Sequence, residues 1–128
     1  MGVEGWSVSD LRKIRVATDA ATLSRHTKYR LGAGLFRGSR LISTGVNQIK
    51  THTKSPHSYR MIHAEIDALL RVDQEAVDGS SLFVVRILKN MRFACSKPCD
   101  CCWEMASRLG VKRIVYFDES GFVSETIR

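Results

Sequence analysis

The chain has 128 residues, 44% of them apolar and 26% charged, with a formal net charge of +7. That length predicts a single domain over 1–128 able to bury its own core, and the balance excludes a disordered or fibrous chain. No apolar run reaches membrane-spanning length, so no membrane partner is expected, while the positive charge favours anionic partners, nucleotides or nucleic acid.

MGVEGWSVSD carries no basic-then-apolar leader pattern, which points to a cytoplasmic chain. Ser9 or Asp10 then caps a first helix, with Leu11, Ile14, Ala17 and Ala21 at helical spacing on its apolar side. YRLGAGLF and LISTGVN flank the short Gly-containing turn RGSR, which together predict a β-hairpin. Residues 48–60, QIKTHTKSPHSYR, are polar and basic and read as a loop. A second helix follows, with Ile62, Ile66, Leu69 and Leu70 on one stripe.

SLFVVRIL (81–88) is a nearly continuous apolar run rich in β-branched residues, the pattern of a central strand. A third helix opens at Pro98, carries Cys102, Ala106 and Leu109 on one face and stops at Gly110. KRIVYF (112–117) and GFVSETI give two last strands. The order α, β, β, α, β, α, β, β implies parallel pairing in the middle and helices packed on a mixed sheet. Only Asp118, Glu119, Ser120 and Gly121 separate the last two strands, too few for a parallel crossover, so these form an antiparallel hairpin.

All four cysteines lie in FACSKPCDCCW: Cys95, Cys99, Cys101 and Cys102. Such crowding suits reduced thiols better than a disulfide scaffold. Cys99 and Cys102 form a Cys-x-x-Cys pair at a helix start, where unpaired N–H groups and the helix dipole favour thiolates. A thioredoxin-like redox pair is one reading. Against it, Pro98 precedes the pair instead of lying inside it, and the other proline, Pro56, lies upstream. A metal site is the second reading, and MIHAEIDALL supplies the missing donor in His63, with Glu65 two residues on. Two converging helix starts would let His63, Cys99 and Cys102 hold a tetrahedral zinc and leave the fourth position to water. A lone His-x-Glu is common and fits a core histidine; its pairing with Pro-Cys-x-x-Cys favours the metal.

His-x-Glu followed by Pro-Cys-x-x-Cys resembles the cytidine and deoxycytidylate deaminase superfamily, and the element order matches as well. The resemblance implies an α/β, cytidine deaminase-like three-layer fold: a mixed five-stranded sheet with helices on both faces, ending here in a C-terminal β-hairpin. It implies Zn2+ as cofactor with His63, Cys99 and Cys102 as ligands, and Glu65 as the proton shuttle. It also implies that the Ala64 backbone N–H contacts the base carbonyl and that Asn47, in the Gly-x-Asn-like GVN, touches sugar or base. A histidine as first ligand is similar to deoxycytidylate, riboflavin-pathway, tRNA-adenosine and nucleic-acid-cytosine deaminases. The terminal hairpin departs from that group, whose last two strands typically run parallel with a helix between them. Lys97 departs too, standing before Pro-Cys where relatives often carry Ser, Glu or another small polar residue.

The activity implied is hydrolytic deamination of a cytosine nucleotide of the deoxycytidylate kind, a small-molecule substrate. Lys50, Lys54 and Arg60, in the basic loop that also holds His52 and His57, would supply the phosphate contacts. The alternative is a deaminase of cytosine or adenine in single-stranded DNA or RNA, favoured by the net charge; a non-catalytic zinc-stapled nucleic-acid-binding module is the third reading. Aromatic residues are 8% of the chain and the loop holds a lone Tyr59, a poor supply of stacking platforms for a strand. Homo-oligomerisation is open at this level. Cys101, between the two ligands on a helix, points away from the metal, and Cys95 either lines the pocket or packs. Phe93 and Trp103 read by default as core packing, with base stacking as the other role.

Overall fold

A computed structural model of the chain describes residues 6–25, 29–49 and 61–127. Ser7 caps α1 (Val8–Ala21), its hydroxyl accepting from the Asp10 N–H at 3.0 Å, so the cap lies two or three residues earlier than the sequence suggests. Ile14, Ala17 and Ala21 are buried as expected, but Leu11 is exposed. Lys13 takes its place on the packed face, with Nζ 5.7 Å from the Phe36 ring centre and 5.9 Å from that of Phe83.

β1 (Arg30–Arg37) and β2 (Arg40–Val46) form the first hairpin. The stretch read as a loop from residue 48 instead begins with β3 (Gln48–Ile49), paired antiparallel with β4 (Met61–Ile62). Ile62 is therefore strand, not helix. The basic positions Lys50, Lys54 and Arg60 lie outside the described residues. α2 (Ala64–Leu70) and a short α3 (Gln74–Val77), which the periodicity does not reveal, lead into β5 (Ser81–Ile87). β6 (Phe93–Ala94) precedes α4 (Asp100–Leu109), and β7 (Arg113–Asp118) and β8 (Gly121–Thr126) close the chain. α4 does not open at Pro98: Cys99 is its N-cap, and Gly110, at φ 102°, ends it in the left-handed conformation that glycine adopts without strain.

The main sheet runs β2-β1-β5-β7-β8, with β6 added on β5, so it has six strands where five are expected. The extra strand is two residues long, too short for a period-two signal. β5 is central as read, antiparallel to β1 and parallel to β7, and β7 and β8 form the expected antiparallel hairpin. Alternation along β5 builds both cores. Phe83, Val85 and Ile87 pack with α1, while Leu82 and Val84 pack with Ala64, Ala68 and Ala106 of α2 and α4. Helices thus cover both faces.

α2 is held unusually close to the sheet. A Cβ on Gly45 of β2 would lie 2.4 Å from the Ala64 carbonyl oxygen and 2.5 Å from the Ala68 nitrogen. The bare backbone lets helix and strand touch, and three hydrogen bonds lock the contact. The Val46 N–H donates to Asp67 Oδ2 at 3.0 Å, Ser43 Oγ donates to the Ala68 carbonyl at 2.9 Å, and Arg71 Nε braces Asp67 from the next turn at 3.2 Å. Gly45→Ala should therefore cost about 1–3 kcal/mol through overpacking against backbone that cannot yield. Thermal unfolding should show a midpoint several degrees lower, and an unchanged midpoint would show that α2 moves aside freely.

Candidate metal centre and active site

The two helix starts converge as the spacing suggests. His63 is the N-cap of α2 and Cys99 the N-cap of α4, both with extended backbone, and Cys102 lies one turn into α4 with its side chain buried. His63 Nδ1 lies 3.3 Å from Cys102 Sγ and 3.8 Å from Cys99 Sγ, and all three donor atoms fall within 4.8 Å of one another. For a tetrahedral zinc with ordinary Zn–N and Zn–S bonds the N···S separation is about 3.6 Å. The two observed distances bracket it.

The electrostatics also fit a cation. Burial pushes the Cys102 thiol well above its usual range, and the neighbouring Glu65 carboxylate and Cys99 sulfur push it further in the same direction. A buried thiolate beside a buried carboxylate is unfavourable unless a positive charge sits with them, and a divalent ion reverses that balance. Glu65 is outside the three-donor cluster and buried. Burial pushes its carboxyl up to about 7, while its own backbone N–H and the Cys102 thiol pull the other way. Its Oε1 is buried with no hydrogen-bond partner among the described residues. A buried acceptor left unpaired is costly unless a ligand meets it.

Ser96, which the sequence reading passes over, sets where the second helix start falls. β7 follows β5 only from Ser81 to Phe83, and β6 takes up the same edge again at Arg86. Ser96 bridges the gap: its Oγ donates to the Val84 carbonyl at 2.7 Å and accepts the Phe117 N–H at 2.9 Å, while its own N–H reaches the Phe117 carbonyl at 2.9 Å. The segment leading to Cys99 is thereby stitched to both strands. Its only sequence signal is a small polar residue before Lys97-Pro98.

Around these groups lies a cavity of about 220 Å³ whose lining includes Asn47, His63, Ala64, Glu65, Cys95 and Lys97. Ala64 is the first residue of its helix, so its N–H has no intrahelical acceptor. Asn47 is buried: its Oδ1 accepts from Ser24 Oγ at 2.6 Å and the Leu31 N–H at 3.0 Å, and its Nδ2 donates to the Tyr29 carbonyl at 2.6 Å. It clamps the approach to β1 at the cavity's rim. Lys97 has its ammonium 5.9 Å from the Trp103 ring centre and 5.8 Å from that of Tyr116, which explains a cation at this position. Trp103 and Phe93 both pack on aromatic neighbours, Phe93 against Phe117 and Phe122. Cys101 is exposed on α4, no disulfide joins any of the four cysteines, and Cys95 is exposed at the cavity. Tyr29 and Arg86 also line it; the signal for Arg86 was a single charge inside an apolar strand.

Residues 8–118 match the family model described as the cytidine and deoxycytidylate deaminase zinc-binding region. A deoxycytidylate deaminase of Mycobacterium phage D29 is 30% identical over 88 residues, 69% of this chain and 61% of its own length. The chain therefore spans less than two thirds of that relative. Among solved structures, a dCMP deaminase from the cyanophage S-TIM5 superposes with a TM-score of 0.63 at 21% identity, covering 87% of this chain and 82% of that one. A cytidine deaminase from Burkholderia pseudomallei superposes with a TM-score of 0.65 at 16% identity over 91% of both chains. At those identities the likeness is one of fold, and it extends to both kinds of enzyme.

Replacing Cys99 or Cys102 by Ser should abolish stoichiometric zinc, whereas Cys95→Ser and Cys101→Ser should keep about one ion per chain. Elemental analysis of the four purified variants checks this. Equal loss from Cys101→Ser and Cys99→Ser would show that the wrong thiols have been assigned.

Proposed function

Because the chain belongs to the cytidine and deoxycytidylate deaminase zinc-binding family, we propose that it is a zinc-dependent hydrolytic deaminase. Its substrate in this reading is a cytosine nucleotide of the deoxycytidylate kind, converted to the uracil form with release of ammonia. The observation that carries the proposal is the buried Glu65 carboxylate with its unmatched Oε1, beside three metal donors but not one of them. A structural zinc site closes with four protein ligands and has no use for such a group, which argues against the non-catalytic zinc module.

His63, Cys99 and Cys102 would hold the zinc. Zinc bound there supplies Lewis acidity, bringing the pKa of water toward ~7. Glu65 receives the first proton from the attacking water and delivers it to N3 of the cytosine ring. It then moves the second to the exocyclic amine, which leaves as ammonia while C4 keeps the oxygen. Glu65 lines the same cavity as His63 and Cys99 without belonging to the donor set, so it is free to accept a proton and return it. The Ala64 N–H, at the start of α2, is available to the base carbonyl, and Asn47 stands at the cavity's edge for sugar or base.

Two observations favour a free nucleotide. The phage relative is named a deoxycytidylate deaminase, and the cyanophage protein has been solved in complex with dCMP and dUMP. The loop cations Lys50, Lys54 and Arg60 remain candidates for phosphate contacts. A cytoplasmic chain with reduced thiols fits the proposal. Deamination of single strands is the competing reading, favoured by the net charge of +7.

Glu65→Gln should keep zinc and fold while kcat drops by at least ~10²-fold, the usual scale of a proton-transfer group. A zinc-replete variant deaminating as fast as the parent would refute the mechanism. In a panel of cytosine, cytidine, their nucleotides and single-stranded oligonucleotides, dCMP should be turned over faster than deoxycytidine, with a shallow salt dependence. Oligonucleotide turnover without any monomer turnover would transfer the assignment to the strand-deaminase reading.

A further inference from the structure

Arg86 is the one charged residue of β5, SLFVVRI, and it takes the same face as Leu82 and Val84, toward α2 and α4. There it lines the cavity that holds His63 and Glu65. Its guanidinium carbon lies 4.5 Å from the centre of the Tyr29 ring, and its Nε is buried without an acceptor among the described residues. An arginine on a central strand normally faces a carboxylate. The only carboxylate lining this cavity among the described residues is Glu65, which the chemistry occupies.

The stacking decides what Arg86 can bind. The Tyr29 ring lies against the guanidinium carbon, and the N–H donors of the guanidinium lie in one plane as a fixed fork. Such a fork, carried on a rigid strand, matches two oxygens of a phosphate. Tyr29 is itself fixed, because Asn47 Nδ2 donates to its carbonyl at 2.6 Å. A guanidinium that lines the cavity, with Glu65 as the one carboxylate among the described lining residues, makes the cavity a receptor for an anion.

We infer that Arg86 grips the phosphate of a mononucleotide whose base lies at Glu65, and that it sets the preference for monophosphate over nucleoside. The inference rests on the deaminase reading above but assigns the phosphate to a sheet residue instead of the basic loop. It makes Asn47 and Tyr29 positioning residues for the guanidinium.

The test is binding of the product pair dUMP and deoxyuridine to the zinc-containing protein, by calorimetry, for the parent, Arg86→Gln and Arg86→Lys. The parent should prefer dUMP by at least ~10-fold, the scale of a charge-assisted hydrogen-bonded pair. Arg86→Gln should bring the two ligands within about 3-fold by weakening dUMP alone, and Arg86→Lys should fall between, keeping charge but losing the fork. Zinc content and thermal midpoint identify a misfolded variant, in which case Arg86→Lys carries the test. Equal weakening of both ligands, or undiminished dUMP binding by Arg86→Gln, overturns the inference. So does a parent that deaminates cytosine monomers yet binds dUMP no better than deoxyuridine, an outcome that leaves the deaminase reading standing. A parent that deaminates no cytosine monomer overturns the substrate reading and this inference together.

Discussion

The structure is organised around an unfavourable pairing: a buried thiol, Cys102, set against a buried carboxylate, Glu65, each at a helix start. Neither group is comfortable there as an anion in the protein alone. Burial raises both, and the Glu65 carboxylate raises the Cys102 thiol further, although the thiol's hydrogen bond pulls Glu65 down. What makes the arrangement sensible is a cation between His63 and the two sulfurs, and the donor spacing matches one. The fold holds the groups together by tying down the elements that carry them.

Those ties are local and identifiable. α2 is pressed onto β2 at Gly45 and held by Asp67 and Ser43, which fixes His63, Ala64 and Glu65 as a unit. α4 is fixed through Ser96, wedged where β7 and β6 part along β5. The same opening gives the cavity its place. Arg86 of β5 and Ser96, on either side of that break, both line the cavity.

The fold of this chain superposes about equally well on a dCMP deaminase and a cytidine deaminase. The Lys97 ammonium rests on the Trp103 and Tyr116 rings, and the Tyr116 hydroxyl in turn donates to Glu125 of β8. The hairpin thereby reaches back to brace the residue before the Pro-Cys motif.

By itself the sequence determined what periodicity and short-range spacing encode: the two layers of helix, the central place of β5, the terminal hairpin and the three donors with their carboxylate. Each depends on residues a few positions apart, or on a linker too short for any other connection. It misplaced what depends on a few backbone bonds. The cap at Ser7, the start of α4 after Cys99 and the two-residue strands β3, β4 and β6 carry too little pattern to be read. Lys13 in place of Leu11 on the packed face of α1 followed from aromatic rings, Phe36 and Phe83, that reach it only through the fold. The tertiary structure alone decided the placement of Ser96, Tyr29 and Arg86, because each meets partners distant in the sequence. A hydrogen bond or a stacked ring between distant segments leaves no trace in local sequence.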